Sequence, residues 1–198
     1  MHKFIKVCIF EENHMNQSQN PSSLRSRKEI TEALLKLMDL YPYNEISVKQ
    51  IILETDLARR TFYRNYESKE DVLDSVITDK ITEYAEELAL NPESPLDVIF
   101  SFCEKNRSFL LLLHKNGLLY LLLLKLNTMI PMFNQVTDKS NSMFAQVVGD
   151  LEPDYLIAFN VGAIWNVIFK WVDRGMKDSA DEIKRTIKEY LSRMKLFS

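Results

Sequence analysis

Glycine and proline are scarce, 4 and 6 residues of 198. That argues against a collagenous, disordered or turn-rich all-β chain. Cysteine is scarcer: Cys8 and Cys103 cannot build a disulfide framework or a zinc site. The three histidines, His2, His14 and His114, form no metal-ligand cluster, and there is neither a glycine-rich phosphate loop nor a nucleophile elbow. Paired acids such as Glu86–Glu87 read as a solvated helix face. No enzymatic activity, cofactor or metal is therefore expected. Long uncharged apolar runs are missing too. The Leu-rich stretch from Phe109 to Phe133 is interrupted by Lys115, Asn116, Lys125 and Asn127, short of the ~20 residues a membrane helix needs. Met1–Phe10 contains Lys3 and Lys6 and runs into Glu11–Glu12, which is no signal-peptide core. A cytoplasmic protein without a membrane partner is expected. The net charge of −3 excludes a basic coat over the whole surface but not a local basic patch.

What the chain does contain is helix. Leu, Ile, Lys and Glu are plentiful, and helix starts are well marked. Ser47-Val-Lys-Gln50 and Ser179-Ala-Asp-Glu182 have the capping-box spacing, in which hydroxyl and fourth side chain satisfy each other's backbone donors. Ser68-Lys-Glu-Asp71 and Ser94-Pro-Leu-Asp97 are variants ending in Asp, and Pro95 sits where its missing N–H costs nothing. Helices are predicted near 24–40, 47–55, 59–65, 69–89, 95–104, 106–114, 117–130, 133–148, 153–174 and 179–195. The fold class is all-α, with nine to ten helices. Residues 1–21 read as a flexible tail, in which Met15 offers a second start position before a polar run.

Residues 22–70 hold three helices, the last two joined by the tight turn Thr55-Asp56-Leu57-Ala58, a helix-turn-helix arrangement. Four cations (Arg59, Arg60, Arg64, Lys69) face one anion (Glu67) between Leu57 and Lys69. From Asp71 to Glu104 nine acids stand against Lys80 alone. Positive charge is thus concentrated at one end, as phosphate binding requires. Phe62 and Tyr66, four residues apart, are predicted to pack inward on the first helix, turning Arg60, Thr61, Tyr63, Arg64 and Asn65 outward or to the flanks. The bland reading is a solvated basic helix in a structural hairpin.

The stretch Arg27–Leu73 carries Glu45-Ile-Ser-Val-Lys-Gln-Ile51 and Thr61-Phe-Tyr-Arg-Asn-Tyr-Glu-Ser-Lys-Glu70. In both it resembles the DNA-binding domain of TetR-family transcription regulators. The resemblance implies an N-terminal three-helix DNA-binding domain (22–70), joined by a long helix to a C-terminal effector-binding and dimerisation domain (71–198). It implies that Thr61, Tyr63 and Lys69 lie against the sugar–phosphate backbone, and that Ser47, with Lys49 nearby, meets a phosphate at a helix start. Arg59, Arg60, Arg64 and Asn65 are the candidates for base edges. Two departures stand out. Asp56 replaces the family's usual glycine at a turn position with positive φ, where Asp is strained. Ala58 replaces its usual capping Ser, at a cost of ~1 kcal/mol unless Asp56 caps instead. Arg60 is also bulkier than the residue usual there.

In the second half, helix 153–174 has Ile157, Val161, Ile164, Ile168 and Val172 on one stripe and Phe159, Ala163 and Phe169 on another, with Gly162 beside them. Apolar surface on two sides implies burial on two sides. The last helix has Ile183, Ile187, Leu191 and Met194 at near-four spacing, with Lys184, Arg185 and Lys188 turned out. The resemblance makes these two helices a homodimer interface (Phe159, Gly162, Ala163, Phe169, Ile187, Leu191), and a two-fold dimer matches a palindromic operator in double-stranded DNA. A monomer core is the plainer reading. Phe102, Phe109, His114, Tyr120, Met129, Phe133, Met143, Phe144, Trp165 and Asn166 are candidates to line a pocket for a small apolar effector, against the alternative that each is plain core. The functional expectation is an effector-released repressor; the alternative is an activator or coactivator controlled by a protein partner.

Overall fold

The computed structural model describes residues 21–136 and 153–194. In that range every regular element is helical: nine α-helices and one short 3₁₀ turn. They are α1 (Pro21–Leu40), the 3₁₀ turn (Tyr43–Glu45), α2 (Val48–Glu54), α3 (Arg59–Asn65), α4 (Lys69–Leu90), α5 (Pro95–Lys105), α6 (Arg107–Lys115), α7 (Tyr120–Val136), α8 (Pro153–Asp173) and α9 (Ala180–Met194). The starts and stops follow the signals read above to within a few residues. One difference is that α7 runs on through Pro131 to Val136; the rest of the helix expected over 133–148 lies outside the described residues, as does the tail up to residue 20.

Two compact units divide the chain, residues 1–83 and 84–198. The boundary falls inside α4, beyond the expected 70/71, and Val72, Leu73, Val76, Ile77 and Ile81 on the first part of that helix are all buried.

In the first unit, Ile30, Ala33, Leu34, Leu37 and Met38 recur at helical spacing on α1 and are buried, while Arg25, Lys28, Glu32 and Lys36 on its other faces ion-pair or reach solvent. Pro42 follows the end of α1 because it cannot donate to the helix and restricts Tyr41 before it. Ser47 caps α2: its hydroxyl accepts from Gln50 N, and the Gln50 carboxamide accepts from Ser47 N at 2.8 Å, the complete box. Ser68 accepts from Asp71 N at 3.1 Å, but the Asp71 carboxylate reaches back one residue further, to Glu67 N at 3.0 Å. Both α2 and α3 pack on α1.

In the second unit, α8 packs on α7 and α6, and α9 on α5. The core holds Val98, Phe100, Phe102, Leu110, Leu113, Leu122, Trp165, Ile168, Trp171 and Val172, with Phe100 and Trp171 rings 5.4 Å apart. Cys103 is buried there, and burial pushes its thiol up to about 12, so it stays protonated and inert. Ser94 makes no side-chain cap, contrary to expectation. The Asp97 carboxylate that would have completed the motif is drawn instead to Lys184 of α9 at 2.9 Å. The α8–α9 turn places Gly175 and Met176 in the left-handed region (φ 72° and 54°). Met176 is held there by burial of its side chain and by Arg107, whose two Nη atoms donate to Met176 O at 2.6 Å and Gly175 O at 2.7 Å. Among the described residues no single helix is long and apolar enough to cross a membrane.

Candidate nucleic-acid interface

The tight turn before α3 is built without the expected strain. Asp56 has no positive φ; among the described non-glycine residues only Met176 does. Thr55 shapes the turn instead, its hydroxyl donating to Ile52 O at 3.0 Å and accepting from Leu57 N at 3.3 Å. Nor does Asp56 cap the helix: α3 starts at Arg59, with Ala58 in the capping position and no side-chain cap.

Phe62 is fully buried and Tyr66 nearly so, as their four-residue spacing predicts. Burial raises the Tyr66 phenol above its ordinary value, partly offset by a hydrogen bond to Ser75 and by the Arg27 charge. With that face fixed inward, Arg59, Arg60, Tyr63 and Arg64 are exposed, together with Lys49 and Ser47 at the start of α2; Thr61 is half-buried. The Arg59 guanidinium lies over the Tyr63 ring, 5.5 Å from its centroid, which orients both side chains.

Charge pairing sorts the cations of this unit into two groups. Arg25, Lys28, Lys36 and Lys80 each pair with a glutamate, and Arg27 and Lys69 are held on protein oxygens. Lys49, Arg59, Arg60 and Arg64 make no ion pair among the described residues. All four belong to α2 and α3. Uncompensated positive charge therefore collects on the two helices that the motif assigns to DNA, which suits a polyanion.

Two expected contacts are differently engaged. Lys69 donates to Tyr43 O and Ile46 O at 2.7 Å each and to Asn44 O at 3.4 Å, with its ammonium 4.5 Å from the Tyr43 ring centroid. The ammonium fastens the loop between α1 and α2 to the start of α4. Asn65 uses both ends of its carboxamide internally: Oδ1 accepts from Ser23 Oγ at 2.8 Å and Nδ2 donates to Thr61 O at 2.7 Å. It is half-buried. Neither partner could be found from local sequence, since Tyr43 lies 26 residues from Lys69 and Ser23 42 residues from Asn65.

In the second unit, the residues suggested for an effector pocket differ in exposure. Phe102, Met129 and Trp165 are buried in the core, Phe102 against Tyr84 with ring centroids 5.5 Å apart. Phe109 is half-buried, while Tyr120 and Asn166 are exposed, and the Asn166 amide donates to Gly162 O at 2.8 Å within its own helix. His114 stands 3.4 Å from the Asp173 carboxylate, its ring 5.9 Å from that of Phe169. Phe144 and Met143 lie outside the described residues. An open groove between α5 and α9 is lined by charged side chains, Asp97, Asp181, Lys184, Arg185, Lys188 and Glu189.

Of the residues suggested for a dimer interface, Phe159, Gly162, Ala163 and Phe169 lie along one stripe of α8, and Ile187 and Leu191 lie on α9. Phe159 is 73% exposed and Phe169 43%, and Tyr155, missed in the sequence, is 80% exposed on the same stripe. Gly162 and Ala163 lie between them, and among the described residues nothing beyond the helix's own turn comes within 4 Å of where a Gly162 Cβ would stand. On α9, Leu191 is exposed, as is Tyr190, while Ile187 is half-buried. The opposite stripe of α8, with Trp165, Ile168 and Val172, is buried.

Comparison with known proteins agrees with this geometry. Residues 30–76 match the family model described as bacterial regulatory proteins, tetR family. Residues 90–193, just over half of the chain, match the model described as transcriptional regulator C-terminal region. None of the curated proteins matches the chain.

Proposed function

Because the chain belongs to the TetR family of DNA-binding transcription regulators, we propose that it acts as a homodimer on a palindromic operator and represses transcription until a small effector releases it. The observation that carries the DNA contact is the uncompensated charge on α2 and α3. Arg60 and Arg64 read base edges, Lys49 and Arg59 take phosphates, and Tyr63, steadied under Arg59, packs on the sugar–phosphate backbone. Ser47 and Thr61 lie beside this surface. Asn65 and Lys69 serve the scaffold.

The exposed aromatic stripe of α8 supports the dimer. Tyr155, Phe159 and Phe169 are large apolar groups left in water by the subunit, a costly arrangement unless a second copy covers them. The Gly162–Ala163 step allows two α8 helices to approach closely. Two recognition helices related by the two-fold axis would then meet half-sites about one helical turn, ~34–36 Å, apart.

Support for an effector comes from Glu86, which is not on a solvated helix face as its pairing with Glu87 suggests: its Oε1 is buried with no hydrogen-bond partner among the described residues. A ligand carrying a donor or a positive charge would satisfy it. A second reading, control by a protein partner, is favoured by the exposure of two expected pocket residues, Tyr120 and Asn166, to solvent.

The test is selection of bound fragments from genomic DNA by the purified chain, with the oligomeric state measured in parallel. Palindromic fragments bound by a dimer support the reading. Absence of duplex binding even at low salt would sink it. An effector screen against the selected fragment, run with Glu86→Gln alongside, separates release by a small ligand from control by a partner.

A further inference from the structure

The recognition helix α3 is held unequally at its two ends. Its first turn has no side-chain cap. Its last residue, Asn65, is gripped from α1: Ser23 donates to the Asn65 carboxamide at 2.8 Å, and one turn along the same face Arg27 Nη1 donates to the Asn65 carbonyl at 3.4 Å. The same guanidinium donates through Nη2 to Ser75 Oγ on α4 at 2.9 Å and lies over the Tyr66 ring, 4.5 Å from its centroid. Three helices thus meet on one side chain.

We propose that Arg27 is a positioning residue for DNA recognition, fixing the C-terminal end of α3 to α4 and so setting the direction in which Arg60 and Arg64 are presented. The proposal rests on the reading of α2 and α3 as the DNA-contacting pair. Arg27 itself is half-buried and engaged on protein oxygens and a ring, unlike the exposed arginines of α3, so it is not a phosphate ligand. An arginine suits the position because a planar fork donates in two directions while its face stacks; a lysine ammonium cannot do all three. Its charge also falls where the carbonyls of a helix C-terminus favour a cation.

Leverage makes the pivot matter. Seven residues at 1.5 Å each give α3 a length of ~10 Å, so a tilt of ~10° at its end moves the first turn by ~2 Å. Hydrogen bonds to base edges do not survive such a shift, whereas long cationic side chains still reach phosphates. Loss of the pivot should therefore reduce sequence discrimination before general affinity.

Arg27→Lys and Ser75→Ala, made in the full chain, test this with two duplexes: one selected by the wild-type protein and a poly(dI-dC) competitor. Affinities are measured across a salt series, with thermal melts in parallel. Expected for Arg27→Lys is a loss of about tenfold in the ratio of selected to competitor affinity, with competitor affinity and salt slope unchanged. Ser75→Ala should move the same ratio in the same direction by less, and the double variant should fall no further than Arg27→Lys. A general loss of folding would lower both affinities together and leave the ratio intact. If Arg27→Lys melts early, Ser75→Ala, which keeps the guanidinium and its ring contact, decides. Wild-type ratios in both variants, or a salt slope reduced by about one unit in Arg27→Lys, would overturn the proposal. A wild-type chain that selects no duplex would instead remove the DNA reading and this inference with it.

Discussion

Replacing Lys69 separates two roles that the sequence alone leaves superimposed. By resemblance the lysine pairs with a DNA phosphate; in the structure its ammonium bonds Tyr43 O and Ile46 O at 2.7 Å and sits on the Tyr43 ring. Hydrogen bonds from a charged donor contribute ~1.5–3 kcal/mol and an exposed cation–π contact ~0.5–1 kcal/mol. Lys69 is half-buried, and water would take over part of both, which leaves a net destabilisation of ~2 kcal/mol for Lys69→Ala. Lys69→Met, which keeps most of the aliphatic stem, should lose nearly as much if the ammonium is what matters. Both tryptophans, Trp165 and Trp171, belong to the second unit. Urea unfolding should therefore be followed by far-ultraviolet circular dichroism, since tryptophan fluorescence would miss the first unit. DNA affinity across a salt series completes the test. A phosphate contact contributes ~0.9 to the slope of log affinity against log salt, and the structure predicts no change in that slope. Stability within ~0.5 kcal/mol of wild type, together with a slope smaller by ~0.9, would refute the assignment and return Lys69 to the phosphate.

Other expectations follow from the same geometry. Phe159→Glu places a carboxylate in the proposed interface at a cost of ~3 kcal/mol or more. It should raise the dimer dissociation constant at least ~100-fold in sedimentation equilibrium, with helix content unchanged because the side chain touches solvent in the subunit. Ala58→Ser supplies the missing cap of α3, whose capping residue already has the extended backbone that a cap requires (φ −68°, ψ 146°). It should stabilise by ~1 kcal/mol in urea unfolding, and a neutral or negative effect would show that the cap geometry is not reached. Lys184 holds the Asp97 carboxyl below its ordinary range, through a hydrogen bond first and its charge second. The α5–α9 link is thus fully present above the usual carboxylate range and lost as pH falls through the lowered folded value. Asp97→Asn should flatten the acid limb of the melting temperature below the usual carboxylate range, and an unchanged acid limb would show that the pair contributes nothing.

Much of the fold is legible in the chain because its signals are local. Ser47 with Gln50 and Phe62 with Tyr66 act across three or four residues, and each does what its spacing predicts. The failures are places where a distant partner competes. Asp97 has the right spacing to serve Ser94 but meets Lys184, 87 residues away, and a charged partner outcompetes a neutral backbone amide. The resemblance points Lys69 to a phosphate and its residue type points Asn65 to a base edge, yet carbonyls of the α1–α2 loop and a serine of α1 engage them within the subunit. The residues suggested for an effector pocket are hard to read from the sequence for another reason. On Leu-rich helices an aromatic that lines a cavity and one that fills a core obey the same periodicity, and only packing distinguishes Phe102, buried against Tyr84, from Tyr120 in solvent.

The left-handed pair Gly175–Met176, tied at its carbonyls by Arg107 and flanked by the Trp171 indole on Asp178 O at 3.0 Å, bears on how two copies would meet in the proposed dimer. A hairpin so constrained needs no ordering when a second chain arrives, so pairing would join two finished pieces and be limited by encounter. Where the molecule is scarce it would stand alone, and occupancy of a symmetric DNA site would climb with the square of its abundance, a threshold set by copy number.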